Sequence, residues 1–319
     1  MSAGIAVIQA IAQSIQGAGP SAVPGGHGGP PPGFSTTKAF FELLQFVGYF
    51  LAIGSVGFRF GVARRVRGMS EEAKTILRAD NAGLFGLIGV VLIGLSVLGG
   101  PYIDSITNHK TFAEALPKKL GPFELKLAML TLSFLGFALV RASSSLGWTL
   151  AAIGILVTVL QPVYTGKLAG KINAVHILAA STWLGTLLVL TLIGIRGVIR
   201  SATAGAQRAQ LVADVVNSFS PLALVAASIV AVTGLTTAWL HLKRISSLWT
   251  TSYGIALDIK LLFVLIVVVL GAWNWRRVRP SLGSEGSEQT IRRSARMELT
   301  FAAIVLIVTS VLVTLPSPK

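Results

Sequence analysis

The chain has 319 residues, 53% apolar and only 12% charged, with a net charge of +15 and no cysteine. Soluble domains carry roughly a quarter charged residues, so an ordinary soluble enzyme, a disordered chain and a nucleic-acid-binding protein are excluded. The mean hydropathy of +0.74 points to a membrane instead. Without cysteine there is no disulfide framework, thiolate metal site or thiol nucleophile.

In chain order, residues 1–38 read as a flexible tail, because GAGPSAVPGGHGGPPPG at 17–33 is a Gly/Pro tract that cannot form regular structure. No Lys or Arg precedes Lys38, so the basic start of a secretory signal is lacking. A bilayer core of about 30 Å takes about 20 apolar helical residues to cross. Eight stretches of that kind follow, at 39–63, 82–99, 122–140, 146–163, 172–195, 218–241, 252–275 and 297–315. They predict an all-α polytopic membrane protein with eight transmembrane helices in a bundle. Its N-terminal four-helix half is 39–163 and its C-terminal four-helix half is 164–319. No residue pattern marks the two halves as a repeat.

Basic residues gather at alternate span ends: Arg64, Arg65 and Arg67, then Arg141, Arg196 with Arg200, Arg276, Arg277 and Arg279, and Arg292, Arg293 and Arg296. By the positive-inside rule this side is cytoplasmic, so both termini are expected on the outer side.

On that topology all four histidines fall on the outer side. His27 lies in the tail, His109 in the loop after span two, His176 about four residues into span five, and His241 at the outer end of span six. Imidazole suits copper, zinc, iron and nickel, although His109 and His241 read equally well as interfacial polar residues. His176 is different, since an ionisable group inside a span is expensive and marks function by default. It shares a helix face with Ala180 and Trp183; a structural His bonded to a neighbouring helix is its other reading. Met1, Met69, Met129 and Met297 form no cluster, so a thioether site for Cu(I) is not expected.

Span seven carries Asp258 and Lys260, then Asn274 near its inner end. Lys260 lies about 5 Å from mid-span, where it costs about 2.5–3.5 kcal/mol to insert, so it must face protein or water. Asp258, two residues away, points elsewhere and cannot neutralise it. Lys260, Val267 and Asn274 share a stripe expected to face the bundle interior, as an ion or proton path or as a structural pair. Glu298 is expected to pair with Arg276 or Arg277. No GxxxxGK[ST] or other nucleotide-binding loop is present, and no catalytic constellation is expected.

From span five onward the motifs run AVHILAASTWLG, FSPLALVAASIVAVTG, LWTTSYGIALDIK, GAWNWRR, Arg292-Arg293 with Glu298, and Leu315-Pro316. This order resembles the copper-resistance D (CopD) domain family over about 172–316. The matching residues are His176, Trp183, Gly185, Phe219, Ser220, Gly234, Trp249, Thr251, Tyr253, Gly254, Lys260, Asn274, Glu298 and Pro316. The resemblance implies a helical bacterial inner-membrane protein of copper homeostasis, resistance and uptake, with its tail at 1–38 and both termini periplasmic and copper ion as the metal. His176, His241 and His109 would be its outer ligands. Lys260 and Asn274, with Trp183, Tyr253 and Glu298, would line or brace the path. Its partners would be the lipid bilayer and a periplasmic copper carrier, with no nucleic acid and no nucleotide. Two other classes stay open: a haem-binding membrane oxidoreductase of related bundle type, and a non-transporting membrane partner of periplasmic copper proteins.

Overall fold

The computed structural model describes residues 35–315, apart from 69–72, 74–76, 78–79, 110, 121–123, 143, 201–204, 243–245, 275 and 277–286. Every regular element among the described residues is helical. The tail reading for 1–34, including His27, lies outside them.

Ser35 opens the first helix by accepting a hydrogen bond from the Lys38 N–H at 3.3 Å, a side-chain N-cap. Helix α1 (Thr36–Arg67) then runs through a π-helical turn at Phe58–Ala63. There follow α2 (Asp80–Val97), α3 (Gly99–Thr107), α4 (Phe112–Leu120), α5 (Glu124–Arg141) and α6 (Ser145–Thr165). Helix α7 (Leu168–Arg200) contains two more π-helical turns, Ser181–Gly185 and Leu190–Ile195. Helices α8 (Gly205–Leu242), α9 (Ser247–Thr250), α10 (Ser252–Trp273) and α11 (Ser287–Leu312) complete the chain.

Seven of these stretches are long and apolar enough to cross a membrane. Helix α5 is the expected span that falls short. Its 18 residues include Glu124, Lys126 and Arg141, and its two terminal charges suit the helix dipole. Its packing is nevertheless that of a full leg. Along α5 and α6 the close approaches pair Gly136 with Gly147 and Ala151, and Gly154 with Met129 and Ser133, so the two helices run antiparallel. Ser133 Oγ donates to the Ala151 carbonyl across the same seam at 2.8 Å.

Helices α1 and α2 are likewise antiparallel through Gly48 and Gly89. By contrast, α1 and α7 run parallel, with Phe50 and Gly54 beside Gly185, Gly57 beside Thr186 and Phe58 beside Gly194. Gly54 and Gly185 bring two backbones into direct contact, since a Cβ on either would collide with main-chain atoms of the other helix. Small residues at helix contacts are how membrane bundles gain packing area without a hydrophobic driving force.

One apolar core runs from Tyr49 to Ala302 through both halves. A second, smaller cluster joins the end of α8, the start of α10 and the end of α11 around Tyr253, Leu257, Val311 and Leu312. Outside the core, α8 and α10 present bare apolar faces, with Leu235 and Trp239 each 76% exposed. Such patches mark a surface made for lipid.

Two helices are longer than hydropathy indicates. Helix α8 starts at Gly205 rather than near 218, and α11 at Ser287 rather than near 297. Their added turns are amphipathic: Leu211, Val212 and Val215 are buried on α8, and Ile291 and Ala295 on α11, beside polar neighbours. Average hydropathy registers the lipid-facing stretch and misses such an extension.

Candidate functional site

His176 sits in the third turn of α7, half-buried, with Nδ1 3.0 Å from Thr233 Oγ1 on the antiparallel helix α8. The Thr233 hydroxyl has a single proton, and the Ile229 carbonyl at 2.5 Å is its acceptor one turn back. The threonine oxygen must therefore accept from the ring, which assigns the imidazole proton to Nδ1. In the neutral ring Nε2 then keeps a lone pair, the form in which a histidine binds a metal. The ring lies against the bare backbone of Gly234, where a Cβ would stand 3.2 Å from Cε1. Lys260, half-buried on α10, is the charged group within electrostatic reach of the ring.

The other histidines are arranged differently. His241 lies eight residues beyond Thr233 on α8, about 12 Å further toward that end by helical rise, and its side chain is outside the described structure. His109 is exposed in the turn that ends α3, with φ at 52°. This left-handed conformation is one that His adopts more readily than most residues. Among the described residues no three His, Cys, Asp or Glu side chains come together.

At the opposite end of the bundle a second polar group forms. Glu298 is buried at 6% exposure and accepts from Asn274 Nδ2, while Ser294 Oγ donates to Asn274 Oδ1. Glu298 was expected to pair with Arg276 or Arg277; among the described residues its partner is Asn274. Arg276 is exposed, Arg277 lies outside the described residues, and the neutral amide of Asn274 takes the carboxylate. An amide satisfies a buried oxygen without adding the desolvation of a second ion.

The stripe of Lys260, Val267 and Asn274 does face inward. Val267 is buried, Asn274 reaches α11, and Asp258 points outward, exposed. Trp183 is buried at the π-helical turn that packs on α1. Tyr253 is buried in the second apolar cluster. Thr251 explains part of the TTSYG motif, for its side chain caps α10 by accepting from the Gly254 N–H at 3.0 Å.

Several polar partners were not singled out from sequence. Thr233 and Ser294 are two, marked only by lying next to Gly234 and one turn before Glu298. Lys126 Nζ donates to Gln45 Oε1 of α1 at 3.0 Å, which answers how α5 tolerates a lysine. Ser181 and Thr186, both wholly buried, have hydroxyls without a hydrogen-bond partner at the first π-helical turn of α7.

Residues 213–312 match the family described as copper resistance protein D. The match covers α10 and α11 and most of α8, so it includes Thr233, Lys260, Asn274 and Glu298, while His176, Trp183 and Gly185 precede it. The chain is also 28% identical over 186 residues to "Copper transport protein CutJ" of Bacillus subtilis (strain 168), covering 56% of this chain and 32% of the relative. The chain thus spans about a third of the length of that relative. No solved structure matches.

Proposed function

We propose that this chain, a copper resistance protein D family member through residues 213–312, carries copper ions across a bacterial inner membrane toward the cytoplasm. The observation that carries this reading is the His176–Thr233 pair inside a membrane helix, which occupies Nδ1, so that Nε2 of the neutral ring is the nitrogen that would meet a metal. Such a nitrogen is a borderline-soft donor that suits copper. The name of the Bacillus subtilis relative supports copper as the substrate. A site with one intramembrane nitrogen suits an ion in passage rather than a resident metal. His241 and His109 would supply further donors on the outer side, and a periplasmic carrier would deliver the ion. Lys260, Asn274, Trp183, Tyr253 and Glu298 would line or brace the route.

With α5 taken as the eighth crossing, the arginine-rich helix ends face the cytoplasm and both termini face the periplasm. A C-terminal alkaline phosphatase fusion is then active and a C-terminal GFP fusion dark.

The deciding experiment combines metal analysis, an absorption spectrum and copper uptake by proteoliposomes. The expected result is bound copper, no Soret band and uptake that depends on the protein. A Soret band would replace this reading with a haem oxidoreductase, and copper binding without uptake would replace it with a scaffold for periplasmic copper proteins.

A further inference from the structure

The arginine-bearing end of α11 faces a groove of about 650 Å³ lined by Arg292, Arg293, Arg296, Met297, Thr300 and Phe301. These residues form two adjacent helical rows, 292–296–300 and 293–297–301. Along both rows the chemistry changes in the same direction, from guanidinium to thioether, hydroxyl and aromatic ring, over about 14 Å of helix. Arg293, Arg296 and Met297 are exposed, and Arg292 is half-buried. Glu298, two residues beyond Arg296 on the same helix, is turned inward to Asn274 rather than toward the arginines, and the side chain of Glu288, one turn before Arg292, lies outside the described residues.

The depth of this groove in the bilayer can be read from α10. Asn274 bonds to Ser294 and Glu298, so the preceding residue, Trp273, stands level with them and is 59% exposed. Exposed tryptophans sit at the headgroup level of a bilayer. The guanidinium groups are therefore at the height of lipid phosphates, and Met297, Thr300 and Phe301 lie at the start of the acyl region. Phe301 is held there by Phe263 of α10, with ring centroids 6.2 Å apart.

We propose that this groove is a binding site for one anionic phospholipid. Its phosphate would be gripped by Arg292, Arg293 and Arg296, and its acyl chains would lie over Met297 and Phe301. Guanidinium pairs bind phosphate oxygens bidentately, and basic pockets beside membrane helices on the cytoplasmic side are suited to such headgroups. The uninterrupted step from charge to apolar surface favours a lipid over a free phosphate.

The test is native mass spectrometry of the full chain, released from nanodiscs holding equal phosphatidylglycerol and phosphatidylethanolamine. The parent should retain phosphatidylglycerol in preference. Each arginine removed should lower that preference by about fivefold, taking the expected worth of one basic residue at a membrane surface. The triple variant Arg292→Gln/Arg293→Gln/Arg296→Gln should show almost none, whereas Arg64→Gln/Arg65→Gln should match the parent. If the triple variant does not insert, Arg293→Gln alone carries the test, as the exposed member of the set. An absent preference in the parent, or an unchanged one in the variants, overturns the site. Displacement of the lipid by inorganic phosphate at equal concentration overturns the lipid and leaves an anion site.

Discussion

His176 and Thr233 join α7 to α8 by one hydrogen bond whose direction is decided elsewhere, at the Ile229 carbonyl that takes the threonine proton. The ring is thereby held by Nδ1, and Nε2 of the neutral form would be the metal-binding nitrogen. Replacing His176 by Ala should be the most damaging histidine change, lowering copper affinity by at least about tenfold, or about 1.4 kcal/mol. Thr233→Val should weaken binding less, since it frees the ring without removing the nitrogen. Equilibrium dialysis with copper analysis reads both. Parent-like binding by His176→Ala would remove this histidine from the copper site.

Gly234 is the surface on which the ring rests. In Gly234→Val the added methyl groups must displace the imidazole, because even a Cβ stands 3.2 Å from Cε1. The variant should remain inserted and lose copper uptake to nearly the extent of His176→Ala. Uptake in proteoliposomes at matched protein content checks this.

Lys260 faces inward on α10 without Asp258 to neutralise it. Lys260→Met keeps the length and removes an insertion cost of about 2.5–3.5 kcal/mol. The protein should be at least as stable as the parent in thermal melts, yet fail to support copper accumulation. Unchanged cellular copper in this variant would reduce Lys260 to a packing residue.

The Asn274–Glu298 bond closes α10 on α11. Asn274→Leu leaves a buried carboxyl without its donor and should destabilise the protein by about 1–3 kcal/mol. Glu298→Gln, which can still accept from Asn274, should cost less. Melting in detergent gives the order. The reverse order would mean that the carboxylate charge, rather than the hydrogen bond, holds these helices together.

Gly185 lies against the α1 backbone at Phe50. Gly185→Leu forces α1 and α7 apart, and overpacking of this kind costs about 1–3 kcal/mol or more. Lower expression and a lower melting temperature are expected, and Gly271→Leu, where nothing lies within 4 Å of a Cβ, should leave both unchanged.

The sequence alone determined the class of the protein and the position of most of its helices. Crossing a bilayer is a local requirement: about 20 apolar residues in a row satisfy it, and those runs are legible one at a time. The inward stripe of Lys260, Val267 and Asn274 was legible for the same reason, because an α-helix repeats regularly and a charge must avoid lipid. What repeats irregularly was lost. The π-helical turn at Ser181–Gly185 is one such feature, and no spacing rule written for an α-helix registers it. The choice of partners depended on tertiary structure throughout. In the chain Glu298 is expected beside an arginine, and only the packing of α10 on α11 brings Asn274 to it. Thr233 is one of several threonines on an apolar helix, each able to bond its own backbone. It becomes a partner for His176 only where α7 and α8 pass antiparallel and Gly234 lets the ring in.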